Sequence, residues 1–188
     1  SALLEAMAER QTTIDRHTYK LSPHFFVIAT QNNLDEEGTF DLPSAQKDRF
    51  SMNISLGDLS REHELAIMMG LFDYEKQDAV VSMDDLVEMK YKVSNMPVNE
   101  KVAEYALNII NALRDNKETK SHISVRAGKD LINNAKALAY IKSDKQVLPD
   151  HILNLVQPVL NHRIVLNNYG NTDEINNIIK ESLKKVKV

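Results

Sequence analysis

Apolar residues follow two different periods in this 188-residue chain, and the change falls near Gly57. Before it, they come in short runs. Phe25-Phe26-Val27-Ile28-Ala29 is unbroken and rich in β-branched and aromatic side chains, which predicts a strand buried on both faces of a parallel sheet. Phe50-Ser51-Met52-Asn53-Ile54-Ser55-Leu56 alternates apolar with polar over one strand's length and stops at Gly57. Ahead of both, Ser1 to Arg10 reads as a helix with Leu3, Leu4 and Met7 on one face. Two β-prone runs, Gln11 to Asp15 and Thr18 to Leu21, flank Arg16-His17 and predict a hairpin with His17 exposed at its tip.

Beyond Gly57 the period is helical to the end, which places a domain boundary at about Gly57 to Ser60 and divides the chain into 1–57 and 58–188. A helix capped by Ser60 is expected to bury Leu65, Met68, Met69 and Phe72. Ser82 to about Val93 turns Leu86, Met89 and Val93 inward. The helix after Pro97-Val98-Asn99 carries Val102, Tyr105, Ala106, Ile109, Ile110 and Leu113. The next starts near Ser124 with Leu131, Ile132, Ala135, Leu138 and Ala139. Pro149 opens another with Ile152, Leu155, Val156, Val159 and Leu160. Asn167 to Thr172 reads as a loop, and a last helix uses Ile175, Ile178, Ile179 and Leu183. Stripes of this kind are core, and the methionines among them are gap-filling side chains.

Composition narrows the function classes. Hydrophobic residues make up 43% and charged ones 27%, ordinary for a globular protein. A net charge of −4 gives no electrostatic footprint for nucleic acid or anionic membrane. The lack of cysteine excludes disulfides, thiolate zinc sites and cysteine nucleophiles, and suits a reducing cytosol. No stretch approaches a membrane span, so a cytoplasmic protein without membrane insertion is expected. The six histidines include no i,i+4 pair, and G-x-S-x-G is absent, so neither a histidine metal site nor a hydrolase elbow is indicated.

Three places carry candidate chemistry. Amides at Gln31, Asn32 and Asn33 follow the apolar run, at the strand end where such sheets bind ligands, and an amide can hold a water against a phosphate. Asp48-Arg49-Phe50 sets a permanently charged guanidinium, suited to phosphoryl-transfer charge, between an acid and an aromatic. Arg126 falls in the first turn of its helix, where the helix end already favours anions. By chemistry alone these could equally be a loop, a surface ion pair and a solvated arginine. A P-loop, G-x-x-x-x-G-K-[ST], is missing. The one Gly-Lys pair, Gly128-Lys129, is followed by Asp130 and has Ile123 where the first glycine is needed. Ala79 to Asp85 imitates a metal-binding strand, but Ser82 and Asp85 are spaced as a capping box and predict a helix start.

The strings Ala29-Thr30-Gln31-Asn32 and Glu37-Gly38-Thr39-Phe40-Asp41-Leu42-Pro43-Ser44-Ala45-Gln46-Lys47-Asp48-Arg49-Phe50 together resemble the AAA+ ATPase core of the MoxR family. The resemblance extends along essentially the whole chain. It implies an α/β core fragment, the end of a P-loop NTPase sheet with a β-hairpin, followed by an all-α helical lid. It implies that Asn32 is the sensor-1 residue, that Arg49 is an arginine finger reaching a neighbouring subunit's nucleotide, and that Arg126 is the sensor-2 arginine. Two positions depart from the family pattern: Val125 stands where proline usually precedes the lid arginine, and Asn33 where proline usually follows sensor 1. The resemblance further implies ATP and Mg²⁺ as cofactors, a hexameric ring, and a chaperone-like role. Partners would be von Willebrand A domain proteins or metalloenzyme clients. In the family Ser1 to Arg10 would follow the Walker B strand, so the Walker elements are expected upstream and this chain alone is expected to hydrolyse no ATP. Alternatives are a magnesium-chelatase-like motor subunit, or a non-catalytic helical interaction module.

Overall fold

A computed structural model describes residues 2–31, 42–71, 78–120, 123–167 and 172–187. It opens with α1 (Ala2–Glu9) and a two-stranded antiparallel hairpin, β1 (Gln11–Ile14) and β2 (His17–Lys20). The register pairs Ile14 with His17, so the two turn residues are Asp15 and Arg16, and His17 belongs to the strand. Ala6 is the buried contact of α1, whose Leu3 remains 54% exposed. Thr13 Oγ1 donates to Glu5 Oε1 at 2.9 Å, tying the hairpin to that helix.

The two strands expected at Phe25–Ala29 and Phe50–Leu56 are not formed. Among the described residues the hairpin is the one sheet. Both segments lack regular structure, with Phe26 and Ile28 each 79% exposed and Leu56 86% exposed. A strand exists through its ladder, and an apolar run with no neighbouring backbone to pair with gains nothing by extending into one. A short helix, α2 (Ser44–Lys47), precedes the Asp48–Phe50 turn.

The helical half matches its stripes. Ser60 caps α3 (Arg61–Met68), accepting the His63 amide at 3.4 Å. α3 departs in packing: Leu65, Met68 and Met69 are exposed, because nothing among the described residues covers that face. Phe72 lies outside the described residues. α4 (Met83–Ser94) begins with the expected capping box: Ser82 Oγ accepts the Asp85 amide at 3.1 Å, and Asp85 Oδ2 accepts the Ser82 amide at 2.9 Å. The Ser82 hydroxyl, donating to Asp85 Oδ2 at 2.6 Å, and then the Ser82 amide bond favour the ionised form and hold the Asp85 carboxyl below its ordinary range.

α5 (Glu100–Arg114), α6 (Val125–Ile141), α7 (Pro149–Leu160) and α8 (Thr172–Lys184) enclose one core. Every stripe residue expected inward on α5 and α7 is buried, as are Leu131, Ala135 and Ala139 of α6 and Ile178 and Ile179 of α8. α6 lies at the centre, packed against α4, α5 and α7. Ala127, Leu131, Ala135 and Ala139, all at 0% exposure, let its neighbours approach closely. Two isolated bridges, Val98 with Val147 and Thr119 with Leu166, tie the connecting segments across the bundle. Among the described residues the chain is thus an α/β part, reduced to its hairpin, followed by an all-helical part.

Candidate functional site

Of the three candidate residues, Asn32 lies outside the described residues. The other two, Arg49 and Arg126, are brought to one place by Asp48. α2 ends in a tight turn in which the Asp48 amide donates to Ser44 O at 2.9 Å and the Phe50 amide to Lys47 O at 3.1 Å. Arg49, half-buried, sits in the middle of that turn. Opposite it, Ser124 caps α6 by accepting the Ala127 amide at 3.2 Å, which leaves the hydroxyl hydrogen free to donate elsewhere. It donates to the Asp48 carboxylate, 2.8 Å from one oxygen and 3.0 Å from the other. Arg126 Nη1 stands 3.4 Å from Asp48 Oδ2, with 46% of its side chain exposed. At that distance and exposure the pair is weak and easily exchanged for another anion.

A second basic pair, which the sequence reading passed over, forms the floor. α7 runs into a 3₁₀ turn, Asn161–Arg163. Arg163 is only 6% exposed: its Nε faces Asp48 Oδ1 at 3.2 Å and its Nη2 pairs with Asp130 of α6. His162 Nε2 donates to the carbonyl of Phe50 at 2.9 Å. That bond assigns the ring hydrogen to Nε2 and leaves Nδ1 buried without a hydrogen-bond partner among the described residues. Burial, which disfavours the imidazolium, lowers the His162 pKa, with Arg163 adding to it against the Phe50 carbonyl, Asp48 and Asp130. The sequence signal for both residues was a His-Arg pair set inside the apolar run Val159 to Leu166, where a charged side chain must find partners.

Further along, the Asn53 amide donates to Pro158 O at 2.8 Å, satisfying a carbonyl that the end of α7 leaves open. Ser44, Asp48, Lys120, Ser124 and Arg163 line a cavity of about 360 Å³. Among the described residues no three His, Asp or Glu side chains gather where they could hold a metal ion.

Comparison with known proteins places these features in a family. The family model for the ATPase family associated with various cellular activities matches residues 1–52, and that for the AAA lid domain matches residues 111–182. YeaC of Bacillus subtilis is 33% identical over all of this chain and 60% of its own length. Chaperone MoxR1 of Mycobacterium tuberculosis is 33% identical over 93% of this chain and 49% of its own. A crystal structure of a Cytophaga hutchinsonii protein, 34% identical, superposes with a TM-score of 0.85 over 98% of this chain and 60% of that one. The chain therefore spans about half to three fifths of the length of the relatives it matches. The Asp48-Arg49-Phe50 turn lies in the first matched region and the start of α6 in the second. The chain belongs to the MoxR family of AAA+ ATPases.

Proposed function

We propose that the chain supplies the charge-stabilising and lid parts of a ring-forming, chaperone-like ATPase. Residues 1–57 would belong to the AAA+ core and 58–188 to the lid. The observation that carries this reading is the attachment of Asp48 to Ser124 and Arg126, which mounts Arg49 and the lid arginine on one hydrogen-bonded block. In phosphoryl transfer the protein's work is positioning and electrostatics. Arg49 would meet the phosphate of a neighbouring subunit's nucleotide, and Arg126, released from its weak pairing, would touch the γ-phosphate from the lid and couple nucleotide state to lid angle. Asn32 would orient the attacking water.

Two exposed or half-exposed guanidinium carriers fit an ATP phosphate approached from outside. They do not form a nucleotide pocket, since the chain has no P-loop sequence. Mg²⁺, which neutralises phosphate charge when bound, would be held by the Walker acids that the resemblance places outside this chain. A hexameric assembly, a cytoplasmic location, and clients such as von Willebrand A domain proteins or metalloenzymes complete the reading.

The decisive experiment is Arg49→Ala in the P-loop-containing protein. Turnover should fall on the order of 10³-fold with nucleotide affinity nearly intact, the scale of an arginine supplied in trans. Mixing that variant with a subunit dead in its own P-loop should restore part of the activity. No rescue in mixed rings of confirmed assembly would leave Arg49 as a structural partner within its own chain.

A further inference from the structure

Arg163 grips the backbone on both sides of Arg49. Its Nη2 donates to the carbonyl of Asp48 at 3.1 Å and to that of Phe50 at 2.9 Å. The same nitrogen pairs with Asp130, and Nε faces the Asp48 carboxylate. The two carbonyls belong to the residues flanking Arg49, so holding both restricts the direction in which the Arg49 side chain leaves the turn. Asp130 stands four residues after Arg126, one turn further along α6. One guanidinium therefore connects the turn that carries Arg49 to the helix that carries Arg126.

The residue type suits this task. Arginine keeps its charge when buried and can face the Asp48 carboxylate through Nε while Nη2 meets Asp130 and the two carbonyls, a second point of attachment that a one-nitrogen lysine ammonium lacks. A group needed only to neutralise Asp48 and Asp130 would have no reason to contact two main-chain carbonyls around a third residue.

We propose that Arg163 is the positioning residue for Arg49, and that with Asp130 it makes the orientation of Arg49 follow the position of α6. This rests on the reading of Arg49 as the residue that meets phosphate. Movement of the lid helix would then be felt at the neighbouring subunit's nucleotide as a change in the direction from which Arg49 meets its phosphate.

Two measurements test it. In this chain, Arg163→Lys should speed hydrogen exchange of the Phe50 and Asn53 amides about tenfold or more, while amides of Ile109, Leu131 and Val156 keep their protection. Unchanged exchange at Phe50 and Asn53 would overturn the clamp. Asp130→Asn, which keeps volume, carries the same expectation and decides the matter if Arg163→Lys does not fold. In the P-loop-containing assembly, Arg163→Lys should lower kcat on the order of 10²-fold, the effect of an ångström's misplacement, with the KM for ATP nearly unchanged. It should add nothing further in an Arg49→Ala background, because both changes remove one function. An equal loss in that background would show a general structural role and overturn the proposal. If Arg49→Ala itself leaves turnover unchanged, the reading of Arg49 falls, and the exchange result still decides whether Arg163 fixes the turn.

Discussion

Gly128 shows how closely single positions in α6 are drawn. It occupies a helix, where glycine costs about 1 kcal/mol relative to alanine. A Cβ added there would meet Ile110 Cδ1 at 3.2 Å, slightly too near, but that atom is the end of a side chain bordering a groove of about 380 Å³. Ile110 has room to yield. Gly128→Ala should therefore raise stability by less than about 1 kcal/mol, read from denaturant unfolding. A loss would mean that Ile110 cannot move. The buried His151 is a second residue that its stripe conceals. Its Nδ1 accepts the Leu148 amide at 3.0 Å, so Nε2 carries the hydrogen and donates to Asp144 at 2.9 Å. Sequence spacing marks such a histidine as merely polar, because its two partners lie in the loop and first turn that fold back on it.

At the scale of elements, the hairpin is where local chemistry and observed geometry disagree. Its turn residues Asp15 and Arg16 have φ of 49° and 68°. Two positive φ values in a two-residue loop match the twist of the flanking strands, and Asp-Gly is a favoured pair there. Arginine at the second position is strained by its Cβ. Arg16→Gly should relieve about 1 kcal/mol of it, seen as slower amide exchange in β1 and β2. No slowing would mean that other contacts of the turn, such as His17 Nδ1 to Asp15 O at 3.0 Å, already absorb the cost. Helix starts were easier to read. Ser60, Ser82, Asn99 and Ser124 all cap their helices through side-chain oxygens. A cap needs only residues adjacent in sequence.

Across the whole molecule, the segment from Asp48 to Asn53 is fastened to the helical lid by Arg163, His162, Ser124 and the end of α7. One of these fasteners titrates. His162 has a pKa below its ordinary value of 6.5. Between the folded and unfolded values the unfolded chain binds more protons, so stability rises with pH there. The contribution is complete above pH 6.5 and is lost as pH falls through the folded value. Thermal unfolding followed at pH 7.5 and at stepwise lower pH should show a declining Tm. His162→Gln, which keeps a donor for the Phe50 carbonyl but does not titrate, should flatten part of that decline. An identical decline in both proteins would assign it to other groups.

What the sequence by itself determined was much of what repeats within a few residues. The helical stripes of α5 to α8, the serine and asparagine caps, and the family carried by the stretch around Asp48-Arg49-Phe50 all belong to this class. A stripe is legible because helix geometry maps spacing directly onto a face. Tertiary structure alone decided the rest. Phe25–Ala29 has the composition of a buried strand, yet a strand needs a second backbone beside it, and no property of the run supplies one. Arg163 and Asp48 are 115 residues apart and meet only because the end of α2 docks against the 3₁₀ turn that follows α7. Their pairing depends on where two helix ends arrive in space, a long-range distance that local periodicity does not encode.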